Sequence, residues 1–267
     1  NGLAFFCAQR QANKNYCIMK IQRNSKLIAE TLSVFLFITI LALYIQSVEF
    51  NKSVKYFLTF LILLFQGLWF YRFYFVGHEA AHRKLFSGKP RLNDFWGNLI
   101  LLPLLVPIPI FRKIHAFHHK FNRKTLRISA LEVHVVTKTP TAVRKVYCYM
   151  AWYFKVFLGG FFIHSLISII LFLFVPPKLS RKISPAFEHW AMRDQLKSIF
   201  LFALAVLLHL SVYFSFGQSV YLYTLGLPML FFAWMYSIMV YVFHYNTTIG
   251  DNVKSNARSV KTVPLLS

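Results

Sequence analysis

Acidic residues are scarce in this sequence: 8 Asp and Glu stand against 30 Lys and Arg in 267 residues. Charged residues of both signs make up only 14%, against roughly 25% in a soluble globular domain. Three cysteines, Cys7, Cys17 and Cys148, are too few to staple a chain of this length, so a disulfide scaffold is excluded and they read as reduced thiols. There is no internal repeat, no low-complexity linker, no paired-carboxylate motif and no Ser/His/Asp set. What is abundant is apolar: 57% AVILMFWYC and 18% aromatic, a membrane composition. The formal net charge of +22 by itself suits nucleic acid or an anionic lipid surface, and the distribution of the charges decides between them.

Four stretches are long and apolar enough to cross about 30 Å of hydrocarbon: residues 27–48, 56–76, 198–216 and 220–243. Residues 156–175 pass the same length test but carry Gly159, Gly160 and His164. Residues 95–111 hold Pro103, Pro107 and Pro109, which remove backbone donors, so this piece reads as re-entrant or interfacial.

With four spans, one side of the membrane receives 26 Lys and Arg, and the other only Lys52 and Lys55. Basic loops stay in the cytoplasm. A fifth crossing at 156–175 would expose the basic loop after it, so that segment is expected to enter the membrane without traversing it. This one-sided charge is accounted for by topology and anionic headgroups, and no nucleic-acid partner is expected. Residues 1–26 lack a continuous apolar core, which excludes a signal peptide and reads as a basic cytoplasmic surface strip. The expected fold is an all-α integral membrane protein: four transmembrane helices in two hairpins, membrane-embedded interfacial helices and a cytoplasmic histidine region. Bacterial inner membrane and endoplasmic reticulum both fit.

Five of the ten histidines fall in two clusters, His78 with His82 and His115 with His118 and His119. On a helix, residues three and four apart share a face, so each cluster can present its imidazoles to one point. Two histidines four apart on an interfacial helix are by themselves weak evidence. Five on one side of a membrane are more than packing explains, and more than one tetrahedral zinc would use, so two metal ions are expected. His244, just past the last span, returns to the same side as a sixth candidate ligand. The remaining histidines read as structural: His164 and His209 as hydrogen-bonded groups inside apolar segments, His134 and His189 as loop residues. Glu79 fits two readings equally, a carboxylate orienting an imidazole or a solvated interfacial group. Arg72 is expected to snorkel to the headgroups.

The spacing HxxxH at His78/His82 and HxxHH at His115/His118/His119 resembles the membrane fatty acid desaturase and lipid hydroxylase superfamily. The order of features, a hairpin, box one, an embedded segment, box two, a second hairpin and a terminal histidine, is similar over most of the chain. The resemblance implies two iron ions held by His78, His82, His115, His118, His119 and His244. It also implies dioxygen as co-substrate and electrons from NAD(P)H through a ferredoxin or a b-type cytochrome. Its implied partners are thus a lipid acyl substrate, an electron-donor protein and membrane lipids, and its implied activity is desaturation of an acyl chain. Hydroxylation or ketolation of a carotenoid or other lipid is the alternative, and a metal-binding membrane protein without turnover a further one. Asn256-Ala257-Arg258-Ser259 looks like the stretch preceding the family's third box, but no third HxxHH occurs. With Asn1 first and Ser267 following apolar residues, a sequence truncated at both ends is expected, with 1–26 as the basic segment and 27–267 as the desaturase-like domain. Aromatics such as Trp69, Phe70, Phe73, Trp152 and Trp234 are candidates for a substrate tunnel, with membrane anchoring the simpler reading.

Overall fold

The computed structural model describes residues 2–121, 141–244, 247 and 250–252, with side chains from residue 22 onward. His134 and the 256–259 stretch lie outside the described residues. Within them the regular structure is helical: α1 (Gly2–Ser47), α2 (Lys52–Ala81), α3 (Pro90–Leu101), α4 (Ile108–Phe121), α5 (Ala142–Trp152), α6 (Gly160–Phe174), α7 (Pro177–Ile183), α8 (Met192–Tyr221) and α9 (Leu227–His244).

Three described segments are long and apolar enough to cross a membrane: Gln22–Ser47, Lys52–Ala81 and Met192–His244, or five if two bent helix pairs each count as one span. The last is 53 residues, about 80 Å as straight helix, and it is interrupted at Gly217, whose backbone sits at φ 86° and ψ 166°. That left-sided geometry is open to glycine and strained for other residues. The side chains are arranged inside out relative to a soluble protein. Phe37, Phe57 and Phe214 are 65%, 61% and 76% exposed, whereas Thr31, Gln66 and Ser237 are fully buried. In lipid the outward apolar surface needs no cover, and polar groups must find partners inside.

Helices α1 and α2 form the first hairpin. Asn51 caps α2 by accepting from the Ser53 amide, and Lys55 Nζ donates to the Gln46 carbonyl at the end of α1 at 2.8 Å. Along this interface Trp69 Nε1 donates to the Thr31 carbonyl at 2.7 Å. Arg72 does not snorkel: it pairs with Glu30 at 3.2 Å, donates to Thr31 Oγ1 and lies over the Trp69 ring. A carboxylate within reach on the neighbouring helix satisfies the guanidinium inside the hairpin, so it need not reach the headgroups.

Helix α2 is the centre of the molecule. On one side Gly67 lies against the α9 backbone; a Cβ there would sit 2.5 Å from Phe231 Cβ, so only glycine permits this approach. Gln66 Nε2 donates to the Tyr223 carbonyl at 2.9 Å, tying α2 to the π-helical turn between α8 and α9. Phe70 and Phe73, at 0% and 2% exposure, pack on Phe35 and, for Phe70, on Phe232. They belong to the helix core and neither anchors at an interface.

Two helix pairs turn sharply. Helices α3 and α4 meet at 92° through a 3-10 turn ending at Leu105 (φ 58°), where the prolines interrupt the helical ladder. Helices α5 and α6 bend by 78° at Gly159, and α6 has 15 residues, or about 22 Å, too short to cross unaided. Both bends bring their helices against α2 and α9 at the end of the bundle that carries the histidines.

Candidate metal centre

Helix α2 runs on beyond the predicted end of the second span, so His78 lies in its last turn and His82 is its C-cap. Helix α4 carries the second cluster. The two helix ends meet, and one ligand nitrogen from each of His78, His82, His115 and His119 falls within 4.8 Å of all the others. His115 Nε2 lies 3.1 Å from His82 Nε2 and 2.9 Å from His119 Nε2.

His118 does not join this group. Positions three and four apart differ by about 100° around a helix, so His119 stays beside His115 while His118 swings to the other side. There its ring stands 5.2 Å from that of His244, which is 6% exposed at the end of α9. All six predicted ligands therefore lie at one end of the bundle, as a group of four and an adjacent pair.

The protonation states suit metal binding. Burial holds His82 down to about 4, with the nearby charges of His78 and His119 adding to the effect. Burial first, then His78, His119, His118 and His82, pushes His115 far below the ordinary histidine range. His119 is lowered too, by burial and then by His78 and Lys84. Neutral imidazoles are the ligating form. His115 Nε2 faces both His82 Nε2 and His119 Nε2, and a single nitrogen of a neutral ring, either one donor or one acceptor, cannot satisfy both. A cation among them resolves the conflict, so the residues present fit a metal.

Glu79 takes the first of its two readings: its Oε1 lies 3.2 Å from His78 Nδ1. That contact favours a proton on Nδ1, which leaves the Nε2 lone pair available to a metal. Phe111 stacks on His115 with ring centres 5.0 Å apart and planes 10° apart, fixing the ring's orientation.

Two cavities flank the histidines. One of about 260 Å³ is lined by His78, His115, His118, His119 and His244 together with Tyr71, Tyr74 and Phe243. The other, about 270 Å³, starts at His115 and His118 and runs along α6 past Phe161, Ile169 and Phe172 to Phe187. Tyr74 and Tyr236 border both, with ring centres 5.0 Å apart. The sequence reading missed these two tyrosines, which sit among many aromatics of similar appearance. The five aromatics it named line neither cavity. Trp152 packs on Tyr241, and Trp234 on Phe157.

Of the other histidines, His209 is a bonded group inside the bundle, contacting the Pro103 carbonyl at 3.0 Å and the Tyr221 hydroxyl at 3.3 Å. His189 is exposed. His164 is not a core histidine: it is exposed and lies on the wall of the larger cavity, because the α6 face that carries it turns toward that space.

An all-helical membrane protein with clustered histidines beside apolar cavities is the class this architecture defines. A family model described as Fatty acid desaturase matches residues 55–267, and the chain belongs to that family. Among curated proteins it is similar to an sn-1 acyl-lipid omega-3 desaturase (ferredoxin) of Nostoc sp. (strain 36), 42% identical over 57 residues, 21% of this chain and 16% of the relative. It is also similar to an sn-1 oleoyl-lipid 12-desaturase of Arthrospira platensis, 32% identical over 69 residues, 26% of this chain and 19% of the relative. Each match thus spans under a fifth of the curated relative.

Proposed function

We propose that this chain carries the metal centre of a membrane oxidoreductase that introduces a double bond into a lipid acyl chain. The observation that carries the reading is the convergence of four imidazoles from two boxes beside an apolar cavity, in a chain of the fatty acid desaturase family. His78, His82, His115 and His119 would hold one iron, and His118 and His244 would contribute to a second. When bound, iron with dioxygen supplies the oxidising power that an unactivated methylene requires and that no side chain offers.

The chain's own residues supply placement. Glu79 keeps the proton at His78 Nδ1, and Phe111 holds the His115 ring. Phe161, Ile169, Phe172 and Phe187 give an acyl chain an apolar seat, and Tyr74 and Tyr236 border that seat where it meets the histidines. Electrons would come from NAD(P)H through a ferredoxin, the donor named in the Nostoc relative's description, or a b-type cytochrome.

The topology we favour has four spans, with the Met192–His244 segment folding back at Gly217 as a hairpin. Residues 1–26 then form a basic cytoplasmic segment, and the histidines face the cytoplasm because 26 of the 30 Lys and Arg lie on their side.

The test is to express the complete gene product in a bacterial host, measure its iron, and profile membrane lipids grown with and without air. New unsaturated acyl chains that need both air and His115 support the reading. Hydroxylated or keto lipids instead would move the reaction to the alternative chemistry. Bound iron with no lipid product would leave a metal-binding membrane protein.

A further inference from the structure

The histidine group depends on two helices meeting at a fixed distance, and one side chain bridges them. Helix α2 ends at a left-handed residue, Arg83 (φ 58°), whose amide returns to the Ala80 carbonyl at 2.9 Å. The last carbonyls of a helix lack intrahelical donors and carry the negative end of its dipole. One of them, Ala81 O, sits immediately before His82. It accepts from Arg112 Nε at 2.8 Å.

Arg112 is on α4, three residues before His115. Its second nitrogen, Nη2, donates to Asp94 Oδ1 at 2.7 Å. Asp94 is in turn on α3, beside the fully buried Asn93. The Asn93 side chain accepts from the Phe86 amide at 3.0 Å and donates to the carbonyls of Phe86 and Lys89 at 2.6 and 2.9 Å. The segment leaving the first box is therefore clamped by Asn93, and the next residue aims the guanidinium.

We infer that Arg112, held by Asp94, is the positioning residue that sets the spacing between the two histidine-bearing helices. This rests on the reading of His78, His82, His115 and His119 as metal ligands. Arg112 touches no ligand nitrogen; it acts on the backbone that carries His82 and from the helix that carries His115. The two contacts use different nitrogens of one rigid fork, which a lysine ammonium cannot reproduce. Arg112→Lys keeps the charge and loses the bridge, while Asp94→Asn keeps the shape and weakens the aim.

The test uses the complete gene product purified in detergent, stripped of metal and titrated with iron(II) or, as a spectroscopic probe, cobalt(II). Wild type is expected to bind. Arg112→Lys and Arg112→Gln are each expected to bind about ten- to a hundredfold more weakly, the range found when groups supporting metal ligands are removed, with an altered cobalt absorption spectrum. Asp94→Asn should fall between these variants and wild type, and metal-free melting should shift far less than affinity. If wild type binds and Arg112→Lys binds equally with the same spectrum, the positioning role is wrong while the metal reading stands. A spectrum unchanged alongside a large drop in metal-free stability also overturns it, leaving Arg112 a packing residue. If wild type takes up neither ion, the metal reading fails and this inference falls with it.

Discussion

The histidine group at the ends of α2 and α4 and the lone His209 within α8 are both imidazoles in apolar surroundings, yet they are built in opposite ways. His209 is complete as a neutral ring: Nε2–H donates to the Pro103 carbonyl at 3.0 Å, and Nδ1 accepts from the Tyr221 hydroxyl at 3.3 Å. Nothing is left over for a ligand. In the group of four, His82, His115 and His119 turn Nε2 toward Nε2 at 3.1 and 2.9 Å, and among the described residues a carboxylate stands behind His78 alone. Burial is not what separates a structural histidine from a metal ligand. The partner of each nitrogen is: a ring with both nitrogens bonded has none to offer a metal, and rings that face each other can share a cation.

The largest expected effect lies in the group. His115→Ala removes the ring in contact with two of the others and should abolish both bound iron and new unsaturated lipid, read by metal analysis of the purified protein and by acyl-chain profiling. Retained iron with lost product would mean that His115 serves the substrate instead. A step smaller, Glu79→Gln should weaken iron binding or activity by about ten- to a hundredfold, since an amide no longer holds the proton on His78 Nδ1 as strongly. Iron affinity equal to wild type would return Glu79 to the role of a solvated interfacial carboxylate.

The apolar runs and the histidine spacing made the helices and the two boxes legible in the sequence. They also placed His244 at the same end. The division of the second box was not drawn, although it follows from the helix itself: the i+4 histidine stays with His115 and the i+3 histidine turns to His244. Three further features were hidden because composition masked them. Arg112 was one basic residue among many on its side, and Tyr74 and Tyr236 were two of 14 tyrosines. Arg72 looked like a headgroup anchor because its partner Glu30 is 42 residues away in sequence. One usable signal was the scarcity of acids. Of 8 in the chain, Glu30, Glu79 and Asp94 each meet an Arg or His of the fold, and these three lie close to the sequence positions of the first box or of its flanking helices.

Acid should act on the histidine group as well. An unfolded histidine titrates near 6.5, whereas the fold holds His82 at about 4. Between those values the unfolded chain takes up a proton that the folded one refuses. The stability of the metal-free protein should therefore be complete above about pH 6.5 and decline as the pH falls toward 4. Melting temperature followed across that range checks this, and His82→Gln should flatten the slope. An equally steep slope in the variant would assign the acid sensitivity to other groups.

The smallest expected effect is on the other side of the comparison. His209→Leu removes a donor from Pro103 and an acceptor from Tyr221 in a part of the bundle with little water to replace them. Leaving such groups unpaired costs about 1–3 kcal/mol. The variant should melt earlier while binding iron as wild type does, because neither Pro103 nor Tyr221 lines the cavities at the histidines. Melting and metal titration on one sample separate the two outcomes. A parallel loss of iron would show that the α3–α4 bend transmits the His209 contact to the second box, and the two kinds of histidine would then belong to one coupled structure.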